Sequence, residues 1–207
     1  ASFVIISEDG FTIAQIGPIA EDYDQHLLNH FSQNLHFQSP FLRLAFDELR
    51  KRHIPQDIQD FLILSPVFRS GDKDYLSRVI NAFWQKDYLV SSCLMIPLVE
   101  DTIRNLYRIN GLSFIRKSED GAGYDVLSLK KLLDKGLVKE VFQSIGDNVE
   151  YYFKVLLTAR VGWNLRNNFA HGINKNSFLG EDVANRLMHV LFCLSLIKKH
   201  PKPIEVK

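Results

Sequence analysis

The chain has 207 residues, of which 46% are hydrophobic and 24% are charged, and its formal net charge is +1. A disordered chain would need lower hydrophobicity and a higher net charge, so a folded protein is expected. The nearly neutral balance argues against nucleic-acid binding through an overall basic excess, so an anionic ligand would need a local site. Because no apolar stretch approaches the roughly 18–20 residues that span a bilayer, we expect a soluble protein without a membrane partner. Cys93 and Cys193 lie within apolar runs, as free thiols of a reducing compartment do, and this favours a cytoplasmic location.

A polar connector over residues 66–73 divides the sequence into two predicted regions. Residues 1–65 are expected to hold a β-hairpin and a helical extension, and residues 66–207 a helical bundle. The hairpin is predicted over residues 2–15, because runs of β-branched and aromatic residues flank a turn-forming sequence at residues 8–10.

Helices of the first region are predicted from their capping residues. A helix over about residues 20–36 is followed by a second helix that begins at Ser39-Pro40, because serine is typical of the N-cap and proline of the first turn. His53 ends this helix, and a short helix is predicted over about residues 56–64.

The second region opens with apolar residues at helical spacing over residues 75–84, and a long helix is predicted from Asp87 to Asn110. Pro97 lies inside the long helix, where a proline costs about 3 kcal/mol, so a break or bend is expected there. Residues 112–127 are rich in glycine and charge and are predicted to form a loop.

The remaining helices are predicted from capping residues that bound apolar segments, and these residues are Ser128, Gly136, Asp147, Gly172 and Glu181. The helix that Asp147 opens is expected to run to His171, and the last helix is expected to end at residues 198–200. The sequence is therefore predicted to be all-α, an antiparallel helical bundle with an N-terminal helical extension and a small β-hairpin.

One segment near the C-terminus combines a guanidinium, amides and an imidazole, and it reads Arg166-Asn167-Asn168-Phe169-Ala170-His171-Gly172. Asn167 and His171 share a helix face because they are four residues apart, and the long Arg166 side chain can reach the same surface. A guanidinium binds phosphate with two hydrogen bonds, and an imidazole exchanges protons near neutral pH. The imidazole would deprotonate a ribose 2′-hydroxyl, and the guanidinium would stabilise the charge that builds on the phosphorane.

The same segment also has an ordinary structural interpretation. A histidine and an asparagine before a glycine are common at helix ends, and a nearby arginine needs no special role. Spacing alone leaves both interpretations open.

A second candidate pair, Glu100 and Arg104, lies four residues apart on the predicted long helix. Its ordinary interpretation is a surface ion pair worth about a few tenths of a kcal/mol. Its functional interpretation is that Glu100 orients Arg166 or His171 from a neighbouring helix. The sequence favours neither interpretation strongly.

Residues 165–172 resemble the RNxxxHG motif of a family of uncharacterised function within the HEPN superfamily. Residues 96–104 resemble the apolar-Pro-x-x-Glu-x-x-x-Arg helix of that family, and residues 127–142 resemble its leucine-rich middle helix. The resemblance covers about residues 60–180.

The resemblance implies a dimeric helical bundle that cleaves RNA without a metal ion and leaves a 2′,3′-cyclic phosphate, in toxin, antiviral-defence or RNA-decay roles. In nuclease members of the superfamily, an arginine and a histidine from each protomer face the partner across a shared cleft. Carried over, Arg166 would bind phosphate, His171 would be the general acid or base, and Asn167 would position one of them. The residues expected to support them are Glu100, Arg104 and Asn168. A nucleotidylated branch has a tyrosine two residues after the histidine, and Ile173 at that position argues against that mode.

Three functions follow from these interpretations. The leading one is a metal-independent endoribonuclease, with RNA as its substrate, a homodimeric composite site and no metal or cofactor. The alternative is a non-catalytic dimerisation or nucleotide- or RNA-binding module, and a third is a structural part of a larger defence or RNA-decay protein. A basic cleft that holds two His171 side chains would favour the enzyme, whereas a buried or salt-bridged Arg166 would favour the module.

Overall fold

The structure is a computed structural model that describes residues 2–6, 10–118, 121–172 and 179–198. Over these residues the chain is mostly helical, as predicted, with nine α-helices and two antiparallel β-hairpins. The helices are α1 (Tyr23–Arg52), α2 (Pro55–Ile63), α3 (Lys73–Trp84), α4 (Tyr88–Ile109), α5 (Leu129–Asp134), α6 (Leu137–Phe142), α7 (Gly146–Leu157), α8 (Leu165–Ala170) and α9 (Glu181–Ser195). The hairpins pair β1 (Phe3–Ile6) with β2 (Thr12–Ile16) and β3 (Ile115–Lys117) with β4 (Tyr124–Val126).

The predicted N-terminal hairpin is confirmed by the pairing of β1 with β2. An edge-to-face contact between the rings of Phe3 and His26, with centroids 5.3 Å apart, ties the hairpin to α1. The predicted turn residues Glu8 and Asp9 lie outside the described residues.

Helix α1 runs through Ser39 and Pro40 without interruption, so the predicted boundary between two helices is wrong. Ser39 does not cap a new helix, because its buried hydroxyl donates to the carbonyl oxygen of Leu35, four residues back, at 3.1 Å. The proline removes one backbone donor, but α1 buries Leu35 and Phe46 on either side of it. Packing along the whole helix therefore outweighs the local break signal.

Helix α4 likewise continues through Pro97, so the predicted break is absent. Its start is as predicted, because the Asp87 carboxylate accepts a hydrogen bond from the backbone N–H of Val90 at 3.1 Å. Ile96 and Leu98, next to the proline, are both buried in the core. Burial on both sides of Pro97 holds the helix together where the local sequence disfavours it.

The loop predicted over residues 112–127 is wrong in its middle, where β3 and β4 form a second hairpin. Ile115 pairs with Val126, and Lys117 pairs with Tyr124. The β-forming residues Ile, Tyr and Val alternate with polar ones over only three positions in each strand, so the pattern is too short to stand out against the surrounding glycine and charge.

Helix α5 is capped by the Ser128 hydroxyl, and Gly136, at a φ of +80°, ends it as predicted. Asp147 is not the N-cap of α7, because that helix already begins at Gly146. Nor does α7 run to His171. It ends at Leu157 and the chain folds back on itself before α8.

The fold-back after α7 depends on a close approach of the backbone. The N–H of Trp163 donates to the carbonyl oxygen of Val155 at 2.9 Å, and the N–H of Gly162 donates to Ala159 at 2.9 Å. A Cβ at Gly162 would run into the Val155 carbonyl, so only glycine fits. This turn separates α8 from α7 and places α8 against α4.

Helices α4 and α9 form the most extensive helix contact, and they run in the same direction. At their starts, Tyr88 donates its hydroxyl to Glu181 at 2.7 Å. Near their ends, both helices contact the connector after α2. Ser65 donates to the Ile197 carbonyl oxygen, just after α9, at 2.6 Å, and Asn105 of α4 donates to the Val67 carbonyl oxygen at 2.7 Å. The predicted antiparallel arrangement therefore does not hold for α4 and α9. The start of α9 at Glu181 is as predicted.

Buried side chains from both predicted regions form one hydrophobic cluster. Leu35, Phe46 and Leu62, from residues 1–65, pack in the same cluster as residues of α3, α4, α7 and α9. The division into regions 1–65 and 66–207 stays a prediction, and the two predicted regions share this core.

The fold-back turn can be tested with Gly162→Ala, which should lower the free energy of unfolding by about 1–3 kcal/mol because the added methyl overlaps a backbone carbonyl that cannot move freely. Urea unfolding followed by circular dichroism measures the change. Gly71→Ala is the matched control, because a Cβ there meets no atom within 4 Å. Equal stability of the two variants would contradict the close approach.

Candidate functional site

Helix α8 carries the predicted motif and has unusual backbone at both ends. It begins after Asn164, a non-glycine residue in the left-handed region at a φ of +51°. It ends at His171, the C-cap, and Gly172 follows at a φ of +66°, so the predicted glycine cap is present. Arg166 lies in the first turn and His171 at the last, about 7.5 Å apart along the helix axis.

The carboxylate of Glu100 joins α4 to α8. Its Oε2 accepts from Nε of Arg166 at 3.0 Å, and its Oε1 accepts from Nη2 of the same guanidinium at 3.4 Å. Arg104, one turn along α4, donates to Oε1 at 2.5 Å. The contact that the sequence suggested between Glu100 and Arg166 is therefore present, and the i, i+4 pair with Arg104 exists beside it.

Burial makes this cluster more than a surface ion pair. Only 9% of the Glu100 side chain is exposed, against 27% for Arg166 and 28% for Arg104. A buried carboxylate without partners is strongly destabilising, so both guanidiniums stabilise the position of Glu100. One carboxylate neutralises only one of the two cations, so the cluster keeps a formal charge of +1.

Arg166 is salt-bridged, but one edge of its guanidinium is not used. Nε and Nη2 hold the carboxylate, whereas no hydrogen bond within the described residues uses Nη1. A guanidinium has five N–H donors, so it can hold a carboxylate and still offer donors to a second anion. The partial exposure of Arg166 allows such an anion to approach.

The two asparagines after Arg166 brace the turn that leads into α8. Asn167 donates its amide to Oδ1 of Asn164 at 2.8 Å and to the Thr158 carbonyl oxygen at 3.4 Å. Asn168 donates to the Trp163 carbonyl oxygen at 3.3 Å and accepts from Asn164 at 3.4 Å. Their observed contacts are structural, and sequence spacing had given no sign of this network.

His171 is exposed, and within the part of the chain that the structure describes its ring makes no hydrogen bond. The backbone N–H of His171 donates to the Asn167 carbonyl oxygen at 3.0 Å, but no side-chain hydrogen bond among those residues joins the imidazole to Arg166 or Asn167. The guanidinium of Arg166 is directed at Glu100 of α4, and no hydrogen bond between described residues joins it to the imidazole of the same copy. Ile173, which bears on the nucleotidylated branch, lies outside the described residues.

A second imidazole lies beside the turn before α8. The ring of His36, on α1, stacks on the indole of Trp163 with centroids 4.5 Å apart and an interplanar angle of 23°. Burial lowers the pKa of His36, which favours its neutral form; nearby Asp182 opposes this shift and Arg186 adds to it. No motif in the sequence connects residues 36 and 163, so this stack could not be predicted from spacing.

The structure also aligns three polar side chains between α7 and α9. Nδ1 of His189 lies 3.1 Å from the Tyr152 hydroxyl, and Nε2 lies 3.9 Å from Sγ of Cys193. Burial raises the pKa of the Cys193 thiol to about 11 and lowers the pKa of His189. A neutral thiol beside a neutral imidazole is not an activated nucleophile, so the geometry does not favour cysteine catalysis.

Both cysteines, Cys93 and Cys193, are free thiols. Among the described residues, no group of three or more His, Cys, Asp or Glu is placed to hold a metal ion. None of the described helices combines the length and the apolar character that crossing a membrane requires.

Comparison with protein-family models, with curated proteins and with solved structures finds no match to this chain. The HEPN resemblance accordingly stays a prediction that depends on the motif, and the class that the fold defines is a mostly helical protein with two small hairpins.

Glu100→Gln should lower the free energy of unfolding by about 1–3 kcal/mol, because it removes the negative charge that holds two half-buried guanidiniums. Asp147→Asn is the matched control. Asp147 also pairs with a cation, Lys139, but its side chain is 79% exposed, so its loss should leave stability nearly unchanged. Urea midpoints of the two variants give the comparison, and similar shifts would contradict a buried role for Glu100.

Cys193 should react slowly with a disulfide reagent in the native protein. A thiol with a pKa of about 11 forms roughly 100-fold less thiolate at pH 8 than one at 9. Mass spectrometry after timed labelling, in buffer and in urea, separates its rate from that of Cys93. Labelling of native Cys193 as fast as in urea would contradict the burial.

Proposed function

We propose that the chain is a metal-independent endoribonuclease that uses Arg166 and His171, and that it acts on RNA as a homodimer. The observation that carries the proposal is the cluster of two guanidiniums on one buried carboxylate, Glu100, next to a helix that ends in an exposed imidazole. The reaction type comes from the motif of α8, which resembles that of a family of uncharacterised function within the HEPN superfamily, whose nuclease members use an arginine and a histidine.

The chemistry needs a proton acceptor, a proton donor and a group that stabilises the phosphorane. In the proposed reaction an imidazole removes the proton of a ribose 2′-hydroxyl, whose oxygen forms a bond to the adjacent phosphorus. The bond from phosphorus to the 5′-oxygen breaks, and that oxygen takes a proton, which leaves a 2′,3′-cyclic phosphate and a 5′-hydroxyl. Arg166 would stabilise the negative charge through the edge that Glu100 does not occupy.

A second copy of the chain would complete the site. Arg166 of one copy is directed at Glu100 and makes no hydrogen bond with its own His171 among the described residues, so a second copy offers another way for the two groups to meet at one phosphate. In the proposed homodimer, each phosphate lies between residues of both protomers. A composite site of this kind also doubles the local positive charge, which a chain with a formal net charge of +1 otherwise lacks.

The first test is cleavage of a mixed single-stranded RNA in EDTA by the wild type, Arg166→Ala and His171→Ala. The wild type should produce cyclic-phosphate ends, and each variant should lose at least about a hundredfold in rate, as expected for an acid–base or charge-stabilising group. His53→Ala, at another exposed histidine, should cleave at the wild-type rate. An intact, folded wild type that leaves the RNA uncut sinks the proposal.

A mixture of the two inactive variants tests the composite site. If Arg166 and His171 act from different protomers, mixed dimers regain a site with one arginine and one histidine, and some cleavage returns. No recovery in a mixture that exchanges subunits would place both groups in one protomer.

The alternative function is a non-catalytic module that binds RNA or nucleotides or mediates dimerisation, and one observation favours it. Arg166 is salt-bridged to Glu100, which is the arrangement expected of an arginine that serves binding or structure. RNA binding without cleavage, weakened by Arg166→Ala and unaffected by His171→Ala, would support the module over the enzyme.

A further inference from the structure

The outer face of α1 carries large apolar side chains in water. Phe37 is 76% exposed, Phe41 is 72% exposed and Leu44 is 67% exposed. They follow one another at spacings of four and three residues, so they form one stripe along the helix. Single exposed apolar residues are ordinary, but a contiguous apolar stripe marks an interaction surface.

The stripe belongs to a longer heptad pattern on the same face. We call it the α1 seam, and its residues alternate at spacings of four and three: Tyr23, Leu27, His30, Asn34, Phe37, Phe41, Leu44 and Glu48. All except Asn34 are exposed, and Asn34 is half-buried. This is the spacing with which one helix packs along another.

We propose that the α1 seam binds α1 of a second copy of this chain in antiparallel orientation. The two ends of the helix carry opposite net charge. The exposed acids Glu21 and Asp24 lie at its start, whereas residues 47–52 at its end hold three basic and two acidic side chains, with Glu48 paired to Lys51 and Arg52. An antiparallel pair brings the acidic end of each copy to the basic end of the other, whereas a parallel pair would bring like charges together. The surface is thus complementary to itself, as a two-fold dimer requires.

The seam also sets the register. With the two-fold axis near residue 39, Phe37 lies opposite the partner's Phe41, and the four rings form the centre of the interface. Leu44 then lies opposite the partner's Asn34, and Glu48 lies opposite the partner's His30. The central layer therefore pairs aromatic rings, and the next layer places Leu44 against the smaller Asn34.

The area agrees with a specific dimer. A phenylalanine buries about 150–250 Å², so the four rings, each about three-quarters exposed, would remove about 600 Å² from water. The remaining seam residues of two copies need to add only about 400 Å² to reach the roughly 1,000 Å² of a specific interface. A helix of thirty residues provides that length. The proposal does not depend on RNA cleavage.

Sedimentation velocity over a concentration series tests the interface with Phe37→Glu and Phe41→Glu. The wild type should be dimeric, and each variant should weaken the dimer at least about tenfold, because it places charge in the centre of the seam. Tyr124→Glu is the matched control: Tyr124 is also an aromatic residue that is 76% exposed, but it lies on β4. A wild type that stays monomeric, or a dimer that Phe37→Glu and Phe41→Glu leave intact, overturns the proposal.

The orientation needs a separate test, because acidic residues at a helix start and basic residues at its end also stabilise a lone helix through its dipole. Reversing Lys51 and Arg52 to Glu should weaken an antiparallel dimer. Reversing Glu21 and Asp24 to Lys as well should restore the dimer, although it makes the isolated helix less favourable. If the doubly reversed protein dimerises no better than the singly reversed one, the antiparallel arrangement is wrong.

Discussion

The buried carboxylate of Glu100 is the interaction on which the candidate site depends. Helix α8 has six residues, too few to be stable without tertiary contacts. Arg166 projects from it to a carboxylate in the middle of α4, and Arg104 completes the pairing from the same helix. The position of the arginine is therefore set by the core helix and not by the short helix that carries it.

Helix α4 can serve this role because it is fixed at both ends. Tyr88 holds its start to α9, and burial together with the hydrogen bond to Glu181 raises the pKa of Tyr88 to about 12, so its hydroxyl remains a donor near neutral pH. Asn105 holds its later part to the connector after α2. A side chain placed on such a helix is held more firmly than one on a loop. The turn before α8, held by Gly162 and Asn164, then brings Arg166 to that helix.

Capping residues in the sequence correctly predicted those helix ends that depend only on neighbouring residues. Asp87, Ser128 and Gly136 cap as expected, because a cap depends on a few neighbouring atoms. Local sequence rules failed at Pro40 and Pro97, where burial on both sides of each proline outweighs one missing hydrogen bond. They also failed after Leu157, because that helix end depends on a glycine that fits against its backbone.

Of the candidate site, only the residues at regular helical spacing could be predicted from the sequence. Spacing pointed to Glu100, Arg104 and Arg166, because charged residues at regular positions on helices are visible in a sequence. It could not show the asparagine network around Asn164 or the stack of His36 on Trp163, which join residues through the fold. The His36 stack ties α1 to the turn that leads into α8. Since Phe37 follows His36 directly, a second copy bound at the α1 seam would lie one residue from that stack. Assembly at the seam and the geometry around Arg166 are thus linked through a single helix.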